Sequence, residues 1–208
     1  MKTLPINLTT FGFVTREKDD VGRTITNRCG RDFLYYALHY LYPDLFAPEK
    51  NSPTEIDRRR MFGFPLPSSL VWTCLPFYKI PSLFKNLRLA LSINGEPVQN
   101  FFQLFIALAG SHSMTADEGF SLIERAIDDG HVAGIDISLG LGGLKDHVMF
   151  VYGYDTDSFY VFDTHIVPEL EYIKTTRDER FIMKLPRFIA RERWTRWSRA
   201  WVIQALTD

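Results

Sequence analysis

Hydrophobic and polar positions divide the chain in two. Over residues 29–41 the apolar side chains Phe33, Leu34, Ala37, Leu38 and Leu41 recur at helical i, i+3, i+4 spacing, and Pro43 stops the run. Residues 113–129 carry a second such stripe, Phe120, Ile123, Ala126 and Ile127. Ser113 or Thr115 caps its start, Asp117 and Glu118 suit its positive end, and Gly130 closes it. Residues 82–92 and 97–109 read as two more helices, with Asn94-Gly95 as the turn between them. After Gly130 the pattern changes to strands, at 132–139, 147–154 and 158–163, the last two joined by Asp155-Thr156-Asp157-Ser158. Residues 181–185 and 200–206 add strands, with 187–197 helical or irregular between them. A weak alternation within residues 1–22 predicts an edge strand. Helices first and strands later predict an α+β fold rather than an alternating parallel one.

Residues 43–82 carry Pro43, Pro48, Pro53, Pro65, Pro67, Pro76 and Pro81, which allow only short pieces such as a helical turn over 54–60. The segment also carries Phe62, Phe64, Trp72, Phe77 and Tyr78, too many aromatics for a solvated linker. The expectation is a single domain over 1–208 with a Pro- and aromatic-rich insertion or subdomain at about 43–110. A chain of 208 residues that is 46% hydrophobic and 24% charged suits one globular core. A net charge of -1 gives no global reason to expect nucleic acid or an anionic membrane as partner. Residues 187–201 are locally basic and aromatic, and are read as Arg stems laid over a core.

The two cysteines, Cys29 and Cys74, form no Cys-x-x-Cys pair. With no apolar leader in the first residues, free thiols in a reducing, cytoplasmic compartment are expected, as is the absence of a membrane span. Cys29 opens the first helix, and a helix N-terminus stabilises the reactive thiolate. His147 starts a strand beside the glycine-rich stretch Gly140-Leu141-Gly142-Gly143, and Asp163 ends the next strand. A thiol needs a base beside it and a third group to orient that base. Cys, then His, then Asp is the chain order of a papain-like cysteine hydrolase. Taken singly, the same residues read as a small buried hydrophobe, a satisfied histidine and a turn former. His147, Asp163, His165 and Asp146 match no metal-binding motif, so neither metal nor cofactor is expected.

Cys29-Gly30, the strand after Gly130, the run from His147 to Asp155 ending in Tyr152-Gly153-Tyr154-Asp155, and the stretch from Phe159 to Asp163 resemble the bacteriocin-processing, double-glycine-leader family of papain-like peptidases. The resemblance covers residues 23–41 and 116–206 in outline. It implies a papain-like fold, with a nucleophile helix packed on a C-terminal antiparallel sheet. It also implies a Cys29–His147–Asp163 triad acting on a peptide or protein substrate through a thioester. The family's oxyanion-binding Gln, about six residues before the Cys, is Arg23 here, and Asn27 is the candidate oxyanion donor. Acyl transfer by the same triad, and a non-catalytic papain-like domain that binds a peptide or protein partner, remain as alternatives.

Overall fold

The computed structural model describes residues 1–7, 29–43, 84–110, 113–140, 145–162, 173–174 and 182–206. Asn27, Asp163, Cys74, His165, Arg23 and the turn expected at 54–60 lie outside the described residues.

Among the described residues the chain is α+β, built on one nine-stranded sheet whose pairings are all antiparallel. The strands are β1 (Lys2–Thr3), β2 (Leu89–Ile93), β3 (Glu96–Val98), β4 (Val132–Gly140), β5 (Lys145–Tyr154), β6 (Ser158–Phe162), β7 (Ile173–Lys174), β8 (Ile182–Pro186) and β9 (Arg199–Ala205). Their order is β3-β2-β9-β4-β5-β6-β8-β7, with β1 against the far end of β5. The helices are α1 (Cys29–Leu41), α2 (Phe101–Ala109), α3 (Ala116–Asp128) and α4 (Arg187–Glu192).

Two helices formed where local signals are strongest. In α3 the Thr115 hydroxyl accepts from Glu118 N while the Glu118 carboxylate accepts from Thr115 N, a reciprocal capping box. Gly130, at φ +75°, lets the chain leave the helix. α1 spans the expected residues and buries Phe33, Leu34, Tyr36, Ala37 and Leu38. Two expected helices are corrected. Of the helix expected over 82–92, residues 84–86 are helical and 82–83 lie outside the described residues, but 89–93 form β2; of that expected over 97–109, 97–98 belong to β3 and 101–109 form α2. Asn94-Gly95 joins strands β2 and β3, both residues have positive φ, and Ile93 pairs with Glu96 across a two-residue turn. Leu89, Leu91 and Ile93 alternate into the core. The helix starts only at Phe101, after Asn100, whose side chain accepts from Gln103 N.

The two faces of the sheet carry different helices. Phe150 pairs with Phe162 and with Gly134, and Gly134 with Trp201, so these four residues share a face. α1 covers it. Tyr36 stacks on Phe162 with centroids 5.1 Å apart, and Phe33 meets Trp201 edge-on at 5.8 Å. On the opposite face Phe159 meets Phe120 of α3 edge-on at 5.0 Å. A Cβ on Gly134 would lie 2.5 Å from the Phe33 ring, so a bare backbone here is what lets α1 sit close to β4.

The turn between β5 and β6 is fixed by Asp155. Its carboxylate accepts from Asp157 N, Ser158 N and the Tyr160 hydroxyl, at 2.9, 2.8 and 2.6 Å. Led by the Tyr160 bond, these interactions hold the Asp155 carboxyl down at about 2, while the same bond raises the Tyr160 phenol to about 12. The basic run near the C-terminus is engaged internally. Arg187 pairs with Glu124 and lies over Phe159, and Arg191 pairs with Asp117 and lies over Phe120.

Gly134→Ala is expected to lower stability by about 1–3 kcal/mol, the usual cost of overpacking, measured by urea unfolding. Phe33→Leu in the same chain should recover part of that loss, because the two positions compete for one volume.

Candidate active site

Cys29 is the first residue of α1, half-buried, with a free thiol. The direction of α1 follows from two contacts. Phe33 lies on Gly134, and the Tyr40 hydroxyl, two turns later, donates to Gly130 O at 3.4 Å. The helix therefore runs counter to β4. One turn back from Phe33, about 6 Å along the axis, Cys29 lies toward Asp136 and Ile137. At that end Ile137 pairs with His147 and Ser138 with Asp146, where β5 begins. Cys29 and His147 are thus at the same end of the sheet.

Their side chains do not leave the sheet on the same side. Pairing is regular from His147 to Phe150, and successive strand residues point to opposite faces. Phe150 faces α1, so His147 projects with Ile137 and Met149 toward the other face. It is buried, at 3% exposure. Asp163 follows β6 directly in sequence, and Asn27 precedes α1.

A cluster of buried charge occupies the same end. Arg199, 3% exposed on β9, reaches four acceptors. Its Nε donates to Ala107 O at 2.8 Å and its Nη2 to Leu108 O. Its Nη1 donates to Asp136 at 3.0 Å and to Asp146 at 3.2 Å. The two carbonyls are among the last of α2, where a helix has unpaired acceptors and a negative dipole end. One guanidinium thus closes a helix terminus and joins β9, β4 and β5. Asp136 is 4% exposed, and its second oxygen, Oδ1, has no hydrogen-bond partner among the described residues. Burial pushes its carboxyl up from 3.8 to about 7, the charge of Asp146 adds to the rise, and Arg199 and His147 oppose it. Burial wins because the carboxylate loses its water on both oxygens and gains a partner on one.

The sequence reading named Cys29 and His147 and missed Asp136 and Arg199. A signal was present: Asp136 is the one charged residue of the strand Val132–Gly140, and Arg199 opens the apolar run Ala200-Trp201-Val202-Ile203. Among the described residues no group of three or more His, Cys, Asp or Glu is placed to hold a metal ion, and no helix is long and apolar enough to cross a membrane.

The raised Asp136 carboxyl fixes a sign. Between 3.8 and about 7 the unfolded chain has released a proton that the folded chain keeps, so this group's contribution to stability falls as pH rises through that window. Urea unfolding of wild type and Asp136→Asn from pH 4 to pH 8 should show wild type losing stability relative to the variant by on the order of a few kcal/mol. A constant difference would contradict it.

Comparison with protein-family models, with curated proteins and with solved structures gave no match.

Proposed function

We propose that this chain is a papain-like cysteine hydrolase that cleaves peptide amide bonds, with Cys29 as nucleophile, His147 as base and Asp163 as the group that orients the imidazole. The observation that supports it is the convergence at one end of the sheet of the α1 N-terminus, bearing Cys29, and the start of β5, bearing His147. This reading requires the imidazole to reach the thiol around the start of β5, since the β4–β5 alternation directs it to the face opposite α1. His147 takes the thiol proton and the sulfur attacks the carbonyl carbon. The C–N bond breaks as the imidazolium returns the proton to the leaving amine, and a thioester remains. Water, deprotonated by His147, then releases the carboxylic acid and restores the thiol. The Cys29 N–H is one candidate oxyanion donor and Asn27 the other. Acyl transfer to an amine differs only in the acceptor of the second step.

A second reading, a papain-like domain that binds a peptide or protein without cleaving it, is favoured by the strand alternation that turns His147 away from the α1 face. The two readings separate on thiol chemistry. In a Cys74→Ser background, iodoacetamide should alkylate Cys29 at neutral pH at least about tenfold faster than in the same protein carrying His147→Ala. Equal rates would refute the hydrolase and leave the binding domain.

A further inference from the structure

The Arg199 clamp reaches the residue next to His147, on a stretch of β5 that has little other support. β6 pairs with β5 from Phe150 onward, so among the described residues 145–149 pair with β4 alone. That ladder is itself interrupted there. Ser138 pairs with Asp146, and the register then shifts before Gly140 meets Lys145. Alternation puts Asp136, Ser138, Asp146 and Arg199 on the face of Gly134, the face that α1 covers. Arg199 stands two strands away from β5, with β4 between them. Its Nη1 nevertheless donates to Asp146 Oδ2 at 3.2 Å. The same nitrogen holds Asp136 on β4, and Nε and Nη2 hold carbonyls at the end of α2. The Arg199 side chain is 3% exposed and that of Asp146 41%, so the fixed partner of the pair is the arginine. A carboxylate tied to one face of a strand also fixes the side on which the next residue departs.

We propose that Asp146 is a positioning residue for His147: held by Arg199 across β4, it anchors the start of β5 and fixes the point from which the imidazole leaves the strand. Removing its carboxylate frees β5 at one place only, because Asp136 and the α2 carbonyls still engage Arg199. His147, buried in the folded chain, then loses protection locally. The consequence for catalysis rests on the hydrolase reading. An imidazole that has to turn around the start of β5 to meet the thiol needs a fixed pivot, and a loosened one spends less time within reach. The anchoring itself does not depend on that reading.

Two reagents, both used on the full chain, test the proposal. Diethyl pyrocarbonate, with the modified histidines identified by mass spectrometry, reads the anchoring. In Asp146→Ala, His147 should react at least about fivefold faster than in wild type, the mark of a local opening. His131, just before the other end of β4, should react at its wild-type rate. An unchanged His147, or equal acceleration of both histidines, would overturn the proposal. If Asp146→Ala does not fold, Asp146→Asn, which keeps the shape and loses the charge, is read in the same way. Iodoacetamide in the Cys74→Ser background reads the consequence. Asp146→Ala should slow Cys29 alkylation about threefold or more, and should change nothing in the His147→Ala protein, whereas general loosening would act in both. If alkylation is indifferent to His147, the hydrolase reading falls and the histidine modification alone decides the anchoring. If alkylation depends on His147 and not on Asp146, the positioning role falls and the hydrolase reading stands.

Discussion

The ring of Phe33 occupies the volume that a side chain at residue 134 would fill, and the position of Cys29 follows from that contact. Helix α1 is anchored by aromatic side chains, Phe33 on Trp201 and Tyr36 on Phe150 and Phe162. Aromatic packing of this kind supplies much buried apolar area with preferred geometry. It does not by itself fix how closely a helix approaches a sheet. Gly134 does, because its backbone is met directly by the ring. With Phe33 fixed there and Tyr40 tied to Gly130, the N-terminal end of α1 has one direction left, toward the start of β5. A lone cysteine at a helix start is thereby brought to the same end of the sheet as a buried histidine.

The second constraint is the Arg199 clamp. An arginine buried on a strand is costly to desolvate unless each donor finds an acceptor. Here the acceptors are two carbonyls at the end of α2 and two aspartates on neighbouring strands. The arrangement answers two needs at once, since the helix end has unpaired carbonyls and the guanidinium needs them. It places two carboxyl groups against one cation, and the more buried of them, Asp136, is the one that keeps its proton to about pH 7. A structural cross-link thus also buries an ionisable group on the α1 face of the sheet, the face opposite the His147 side chain.

What the sequence revealed tracks how local each signal is. α3 was legible because its cap, its acidic first turn, its apolar stripe and its terminating glycine lie within one short stretch. The start of α1 at Cys29 and the strand that carries His147 were legible for the same reason. The β2–β3 hairpin was read as helix because its buried Leu89, Leu91 and Ile93 alternate with the weakly distinguishing Ala90 and Ser92. Only the pairing with β9 makes the period of two decisive. Arg199 was hidden by distance: its partners lie 63 residues away at Asp136 and 92 away at Ala107. The facing of His147 was hidden for a related reason, because it depends on the β4–β5 register rather than on the residue itself.

The central proposal is that the Cys29 thiol and the His147 imidazole, at the same end of the sheet, come within reach of one another around the start of β5. A short bifunctional alkylating reagent with a three-carbon span tests it directly, since both groups must lie within its reach to be bridged. After treatment of the Cys74→Ser protein and proteolysis, mass spectrometry should find the Cys29 peptide covalently joined to the His147 peptide. Modification of Cys29 by one arm alone, with His147 untouched, would place the two groups apart and contradict the account.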